Sequence, residues 1–215
     1  MNLVERDYEI FRAIDRWRFC LGRQIKILAG FAGERACDRR LRALIEAKYL
    51  ERRKIIYGVP GLYSLTYKAK MLIGANKRQE KIRLEHIVHD IAVIDTAICL
   101  ANKTGISFQD ITTEKQMHSE NGFNVRSHYP DFTFIKDGKT TCVEVELTLK
   151  SKERLEKNIR NNFLTYDTQI WVVGSNQKIT AFLNSYKTEY PNIEIISMEG
   201  VKTYVHEFTL SQQPE

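Results

Sequence analysis

The first part of the chain combines amphipathic helical stretches with short apolar runs. Apolar residues at helical spacing predict helices over Glu5 to Trp17, over Leu21 to Ala29, and from Gly33 through Ile45. Strand-like segments then flank residues 58–61, where two Gly and one Pro favour a turn. Three helices followed by a hairpin are therefore predicted for this part of the chain.

A different order of elements is predicted for the rest of the chain. The pattern predicts, in order, a helix over 83–103, a strand over 106–111, a loop or irregular hairpin over 115–128, strands over 131–135 and 141–147 around the turn Asp137-Gly138, a helix capped by Ser151, a strand over 170–173, a helix over 179–186 and a strand over 193–196. The core of this order is helix, three strands, helix, strand, abbreviated αβββαβ.

These two orders predict the fold class α/β (α+β), with two domains. Three helices and a hairpin form the order of a winged helix-turn-helix, in which the third helix enters the major groove of DNA. The αβββαβ order predicts a mixed sheet between helices. We expect a winged-helix domain over 1–76, a junction over 77–82, and a second domain over 83–210.

Charge divides along the chain much as the predicted elements do. The net charge is +6, but residues 1–84 hold 20 Lys and Arg against 9 Asp and Glu, whereas residues 85–215 hold 13 against 18. A basic half can hold a polyanion through its phosphates, and an acidic half can gather carboxylates around divalent cations. Composition alone also fits a ribosome-associated or membrane-surface protein, which the order of elements disfavours.

Basic residues cluster on the two predicted elements that contact DNA in a winged helix. Because arginine binds guanine edges and phosphates in a bidentate way, the third helix and the entry to the hairpin are predicted to contact double-stranded DNA. The candidate DNA-binding residues are Arg35, Arg39, Arg40, Arg42, Arg52, Arg53 and Lys54. A face of solvated charges and a winged helix that docks proteins are the alternatives.

Several features predict a cytoplasmic protein that does not span a membrane. Charges stand in the first ten residues, where an export signal needs an apolar core, and no stretch approaches 18 uninterrupted apolar residues. The four cysteines include no Cys-x-x-Cys pair, which argues against a zinc ribbon and predicts buried thiols in a reducing compartment.

Three carboxylates are predicted to meet at the second hairpin. Asp131 begins one strand, and strand alternation places Glu144 and Glu146 on one face of the other. Such close carboxylates are unfavourable unless neutralised, and Mg²⁺ or Mn²⁺ does so while activating water for phosphodiester hydrolysis. We therefore predict metal ligands at all three residues and His128 as an ordinary loop residue. Lys150 is either a catalytic lysine nearby or an ordinary lysine at the start of a helix. The alternative is a solvated, charged sheet face.

The hairpin resembles the PD-(D/E)XK nuclease superfamily. The matching residues are Tyr129-Pro130-Asp131 and Cys142-Val143-Glu144-Val145-Glu146, within the element order of residues 83–197. The resemblance implies that Asp131 and Glu144 bind the metal and that a lysine assists catalysis. Glu146 occupies the usual lysine position. The lysine must therefore come from Lys150 or Lys152, or else the domain is a degenerate one that does not cleave.

A second resemblance covers the whole chain. The matching residues follow the winged-helix region and are His89 to Asp95, Pro130-Asp131, Val143-Glu144-Val145-Glu146-Leu147-Thr148, and Tyr166 before Ile170-Trp171-Val172-Val173. In these residues the chain is similar to the replication-relaxation proteins of plasmids and to the MOBC-type relaxases, which nick DNA at a transfer origin. The resemblance implies that His89 and Asp95 border the catalytic site and that Glu85 supplies an extra acidic metal ligand.

Two functions from different classes are expected on these grounds. The first is a relaxase or endonuclease of a plasmid or mobile element that binds its origin region and nicks it in a metal-dependent reaction. The second is a replication or transcription regulator that binds DNA but no longer cuts it. Relaxosome proteins or a second copy of the chain are the other expected partners.

Overall fold

The computed structural model describes residues 1–55, 57–76, 82–121, 128–148 and 151–211. They form two compact units, one of Met1–Ile94 together with His206–Glu215 and one of Asp95–Val205. The predicted mixture of α and β structure is confirmed. Most of the predicted junction over 77–82 lies outside the described residues.

Helices and strands alternate along most of the described chain. The helices are α1 (Glu5–Trp17), α2 (Gly22–Leu28), α3 (Glu34–Glu46), α4 (Tyr67–Leu72), α5 (Ile87–Thr104), α6 (Glu114–Asn121), α7 (Lys152–Thr165), α8 (Gln177–Tyr186) and α9 (Met198–Ser211). The strands are β1 (Cys20–Leu21), β2 (Leu50–Arg53), β3 (Leu62–Leu65), β4 (Thr112–Thr113), β5 (Phe132–Lys136), β6 (Lys139–Glu146), β7 (Thr168–Val173) and β8 (Ile193–Ser197).

The first unit packs helices α1 to α3 with a three-stranded antiparallel sheet of order β1-β3-β2. The three predicted helices are confirmed, since α1 and α3 each bury one apolar face through residues such as Phe11 and Leu41. The first strand of the predicted hairpin ends at Arg53, earlier than expected, so a longer loop leads to β3. The two residues of β1 are too few to leave a periodic pattern in the sequence.

A buried ion pair joins α1 to α3. Asp7 is fully buried, and one of its carboxylate oxygens accepts a hydrogen bond of 2.7 Å from Arg40 Nε while the other contacts Arg40 Nη2. The backbone N–H of Val4 also donates to Asp7, at 2.8 Å. The hydrogen bond to Asp7 raises the pKa of the Arg40 guanidinium. Arg40 therefore has a structural role at the interface of the two helices.

The second unit contains a five-stranded mixed sheet of order β4-β5-β6-β7-β8. Strands β4 to β6 are antiparallel, and β6 to β8 are parallel. The prediction of a strand over 106–111 is wrong, because residues Phe108–Asp110 form a 3-10 turn and the strand is limited to Thr112–Thr113. The capping hydroxyl of Ser107, which accepts from Gln109 N, favours the turn over an extended chain.

Two helices of this unit depart from the prediction. The stretch expected as a loop over 115–128 begins with helix α6, and residues 122–127 lie outside the described residues. Helix α9 was not predicted, although its residues Met198, Val201 and Val205 are buried at helical spacing. The hairpin between β5 and β6 is confirmed. Asp137 and Gly138 both have positive φ, as the two central residues of a type I′ turn require.

Helices α7 and α8 cover one face of this sheet. Their apolar residues form one core with the same-face residues of β7 and β8, namely Leu155, Ile159, Trp171, Val173, Ile179, Leu183, Tyr190 and Ile193. In the parallel register, Glu144 lies beside Trp171 and Glu146 beside Val173. Both glutamates therefore lie on the face of the sheet that α7 covers.

Two further expectations can be compared with this fold. The four cysteines are free and buried, as predicted. Within the described segments, no helix is long and apolar enough to cross a membrane.

Candidate functional site

Glu144 is the centre of a polar cluster inside the second unit. It lies in the middle strand of the sheet, and only 5% of its surface is exposed. Its Oε1 accepts a hydrogen bond of 3.1 Å from Asn162 Nδ2 on α7 and lies 2.6 Å from His128 Nε2. These partners hold the carboxylate in one orientation within an otherwise apolar layer.

Asp131 directly precedes β5 and contacts the backbone of β6 one residue after Glu144. Its Oδ2 accepts a hydrogen bond of 2.7 Å from the backbone N–H of Val145, on the strand that carries Glu144. The β5–β6 ladder begins at Phe132, which pairs with Val143. Beyond that pair, the Asp131 side chain replaces a backbone carbonyl as the acceptor for the strand end. This contact brings the carboxylate of Asp131 to the backbone of Glu144.

Glu146 occupies the last position of β6 and is 2% exposed. The prediction that it shares a face with Glu144 is confirmed by the register with β7. Its carbonyl accepts from Gly174 N, at 3.1 Å. A Cβ at Gly174 would lie 3.1 Å from Leu147 O, so a larger residue here would push the two strand ends slightly apart. The carboxylates thus stand near the carboxyl ends of β6 and β7.

His128 is a part of this cluster that the sequence prediction missed. It was predicted to be an ordinary loop residue, yet its ring nitrogen contacts the buried Glu144. The residue stands 16 positions before Glu144 and in no periodic pattern, so no local signal predicts the contact. Only the antiparallel return of the chain through β5 and β6 brings the two together.

Two tyrosines lie beside the same carboxylate. Burial, with smaller contributions from Cys142, Glu144 and Tyr129, raises the pKa of the Tyr166 phenol to about 12. The phenol therefore keeps its proton at neutral pH and can donate a hydrogen bond. Tyr129 packs edge-on against the His118 ring of α6, with ring centroids 4.7 Å apart. Tyr166 is thus a neutral hydrogen-bond donor in the neighbourhood of Glu144.

The composition of this cluster bears on whether a cation fits. Within the described parts of the chain, no group of three or more His, Cys, Asp or Glu residues is arranged to hold a metal ion. Mg²⁺, however, commonly takes one or two carboxylates and fills its other positions with water and phosphate oxygens. Asp131 and Glu144 supply that number of hard oxygen donors.

The other predicted catalytic and metal-binding residues lie on elements other than β5, β6 and α7, or outside the described residues. Lys150 lies outside the described residues. Glu85 is exposed in a 3-10 turn of the first unit, and His89 follows in α5, with its Nδ1 3.3 Å from Asp90 Oδ1. Asp95 belongs to the second unit and is buried, 4% exposed. Their roles near a catalytic site stay predictions.

The predicted DNA-binding arginines of α3 divide into two groups. Arg35, Arg39 and Arg42 are exposed and follow one another at steps of four and three, which places them along one stripe of the helix. Arg40 lies outside that stripe and binds the buried Asp7. Three arginines of this helix are therefore presented to solvent, and one is engaged in the fold.

The other predicted basic residues lie on β2 and just after it. Arg52, Arg53 and Lys54 are all exposed. The Arg52 guanidinium lies over the ring of Tyr63, 5.6 Å from its centroid, and a Cβ on Gly61 would come within 2.7 Å of Arg52 Nε. Glycine at position 61 therefore makes room for this arginine. Arg53 pairs with the exposed Glu51 at 2.5 Å.

The loop between β2 and β3 carries an exposed aromatic residue. Tyr57 is 97% exposed, the highest value among the exposed large hydrophobic residues. Next to it, Arg52, Lys54 and residues 58–61 line an open surface hollow of about 610 Å³. A tyrosine in a run of apolar residues suggested a strand rather than an exposed tip, so the sequence prediction did not select it.

Comparisons with protein-family models, with curated proteins and with solved structures found no match to the chain.

Proposed function

We propose that the chain binds double-stranded DNA through its first unit and nicks it through the carboxylate cluster of its second unit, as a metal-dependent relaxase or endonuclease. The observation that carries the proposal is the contact of Asp131 with the backbone N–H of Val145, the strand residue between the buried Glu144 and the buried Glu146. The assignment to a plasmid or mobile element, and to its origin region as the DNA, rests on the sequence resemblance alone.

The arrangement of the first unit supports DNA binding. Its order of three helices, a strand, a loop and a strand fits a winged helix, with a third short strand between α1 and α2. The exposed stripe of Arg35, Arg39 and Arg42 suits a helix in the major groove. The basic residues of β2 and the exposed Tyr57 suit a wing that holds the backbone and packs its ring on DNA.

The arrangement of the second unit supports a site of the PD-(D/E)XK type. The sheet runs β4 to β8 in order, with the Asp131 strand and the Glu144 strand as neighbours. Asp131 and Glu144 would hold Mg²⁺ or Mn²⁺, which supplies an activated water and stabilises charge on the phosphate when bound. Asn162 orients Glu144 from α7, and Tyr166 offers a neutral donor on the same side.

The proposal is tested by nicking of supercoiled plasmid that carries the origin region of the parent element. We expect nicking with Mg²⁺ or Mn²⁺, and a loss of at least 100-fold in Asp131→Ala and Glu144→Ala. Glu194→Gln is the matched control, since Glu194 is an exposed carboxylate of the same sheet. Equal nicking by the wild type and both alanine variants would contradict the enzyme.

DNA binding is tested separately, by titration at several salt concentrations. The logarithm of the affinity falls linearly with the logarithm of the salt concentration. Each lost phosphate contact makes that slope shallower by about 0.9. We expect this shallower slope for Lys54→Ala. Tyr57→Ala should weaken binding with little change in slope, because a tyrosine ring packed against DNA neutralises no phosphate. Lys202→Ala, an exposed lysine of α9, is the control. A wild-type affinity that hardly varies with salt would favour a protein-docking domain.

A non-cleaving regulator is the second candidate function, and one observation favours it. Oε1 of Glu144 already contacts both His128 and Asn162, and Glu146 stands where the nuclease superfamily has a lysine. Such a cluster can persist as a folded core after catalysis is lost. Salt-dependent DNA binding without nicking under any metal would establish this function in place of the first.

A further inference from the structure

Helix α7 carries two buried asparagines on its apolar face. Asn158 and Asn162 are 4% and 1% exposed, and they share the buried face of the helix with Leu155 and Ile159. Asn162 donates to Glu144. Asn158 Nδ2 is also buried, but within the described structure it has no hydrogen-bond partner. A buried amide donor is rarely left unpaired, because its desolvation is then uncompensated.

The position of Asn158 follows from the geometry of the crossover. Strands β6 and β7 are parallel, so the helix that connects them runs in the opposite direction. One turn of α7 from Asn162 back to Asn158 advances about 6 Å toward the carboxyl end of β6. The two-residue step from Glu144 to Glu146 advances about 6.6 Å in the same direction. Asn158 is therefore level with Glu146, as Asn162 is level with Glu144.

We propose that Asn158 is a positioning residue for a divalent cation, and that its Nδ2 donates to a water or phosphate oxygen bound to that cation beside Glu144 and Glu146. This inference rests on the proposed metal-dependent function. It gives the unpaired donor an acceptor and places positive charge beside two buried carboxylates on one face of β6. It also supplies a donor on the side of the cluster where Glu146 replaces the lysine of the nuclease superfamily.

The chemistry favours a hydrated cation over an isolated buried water. A neutral water could accept from Asn158, but it would not offset the like charges of the two carboxylates that share this face of β6. A hydrated Mg²⁺ or Mn²⁺ provides both the charge and the oxygen. Residues that contact a metal's ligands in this way commonly change metal affinity by 10-fold or more when they are replaced.

The experiment measures the full chain in EDTA and across a titration with Mn²⁺ alone, by thermal unfolding and by calorimetry. For Asn158→Leu we expect an unfolding midpoint about 2–4 °C higher in EDTA, because an unpaired donor is removed. We expect the Mn²⁺ dissociation constant to rise about 10-fold. Asn158→Asp, which adds a carboxylate, should unfold earlier in EDTA and bind Mn²⁺ more tightly than the wild type.

Two controls have the same substitution in matched surroundings. Asn162→Leu removes a donor that is in use, so it should lower the midpoint in EDTA. Asn102→Leu in α5 removes Asn102 Nδ2, a second buried amide nitrogen without a partner among the described residues, and should leave Mn²⁺ binding unchanged.

The outcomes separate this inference from the function on which it rests. Absence of Mn²⁺ and Mg²⁺ binding by the wild type overturns both. If Glu144→Gln abolishes Mn²⁺ binding but the dissociation constant of Asn158→Leu stays within twofold of the wild type, the role of Asn158 alone is overturned. A lower midpoint of Asn158→Leu in EDTA, with unchanged Mn²⁺ affinity, also overturns it and indicates an isolated buried water.

Discussion

Asp7 in the first unit and Glu144 in the second are both buried carboxylates, but their partners differ in charge. Asp7 is fully buried and held by the guanidinium of Arg40 and a backbone N–H. Glu144 is held by the amide of Asn162 and the ring of His128, and a second buried carboxylate, Glu146, follows on the same face. A permanently charged partner fixes the first residue in the fold, whereas the described partners of the second are an uncharged amide and a titratable imidazole ring.

The difference explains why burial alone does not identify a functional carboxylate. Arg40 does not lose its proton in proteins, so the cationic partner of Asp7 is permanent. The amide of Asn162 orients a carboxylate without neutralising it, and metal ligands are commonly held by such donors. The comparison predicts that the two residues respond in opposite ways to mutation and to divalent cations.

The largest effect is expected from Arg40→Met. The variant leaves the Asp7 carboxylate buried without its cation. Breaking a buried ion pair in this way lowers the free energy of unfolding by about 3–5 kcal/mol. We expect the lower end of that range because Arg40 is partly exposed. Urea unfolding measures the loss. The control Arg39→Met, on the exposed stripe of the same helix, should change stability by less than about 0.5 kcal/mol. Equal losses in the two variants would place Arg40 among the ordinary surface residues.

A smaller effect is expected when each carboxylate is made neutral. Asp7→Asn weakens hydrogen bonds to a charged partner and should cost about 2 kcal/mol with or without Mg²⁺. Glu144→Gln should change stability in EDTA by less than about 1 kcal/mol, since Asn162 and His128 can both still donate to the amide oxygen. It should abolish the stabilisation that Mg²⁺ gives the wild type, about 2.7 kcal/mol at 100 times the dissociation constant.

The measurement is urea unfolding in EDTA and in Mg²⁺, for the wild type and both variants. The comparison between the two carboxylates fails if Mg²⁺ stabilises Glu144→Gln as much as the wild type. It also fails if Asp7→Asn loses no stability in EDTA.

Strong periodicity explains which elements were predictable from the sequence. Helix α1 has the predicted limits because one face is continuously apolar and buried. The turn at Asp137-Gly138 was predictable because few dipeptides adopt two positive φ angles. Alternation over 106–111 misled the prediction, since the local hydrogen bond from Gln109 to Ser107 favours a 3-10 turn there. A two-residue strand such as β4 leaves no pattern to detect.

The candidate site divides in the same way. Strand alternation was enough to place Glu144 and Glu146 on one face, because that relation is local. The contact of His128 with Glu144 depends on the return of the chain and has no local signal. Asn158 and Asn162 did leave one, since two polar residues four apart interrupt the apolar face formed by Leu155 and Ile159. A polar pair on a buried helix face is therefore worth testing against nearby carboxylates.

A third prediction ranks the two donors to Glu144. Asn162 is 1% exposed, so water cannot take the place of its amide in Asn162→Leu. The carboxylate then loses a hydrogen bond, and the free energy of unfolding in EDTA should fall by about 1–2 kcal/mol. The side chain of His128 is 22% exposed, so water can replace it, and His128→Leu should cost about half as much. Urea unfolding measures both. The reverse order would make His128 the principal partner of Glu144.

The smallest effect is expected from Tyr166→Phe, and it depends on pH. Burial raises the pKa of this phenol to about 12, above its usual value of 10, so the folded state holds the proton more tightly than the unfolded state. The phenol therefore contributes stability that is fully present below pH 10 and is lost as the pH rises from 10 to 12. Phenylalanine cannot ionise, so the unfolding temperature of the variant should fall less between pH 10 and pH 12 than that of the wild type.

The matched control is Tyr57→Phe, because Tyr57 is almost fully exposed and should not alter the alkaline transition. Thermal unfolding at pH 8, 10 and 11.5 gives the comparison. If Tyr166→Phe follows the wild type across this range, the phenol is not held beside Glu144 in the folded protein. Tyr166 would then no longer count among the neutral donors that distinguish the surroundings of Glu144 from those of Asp7.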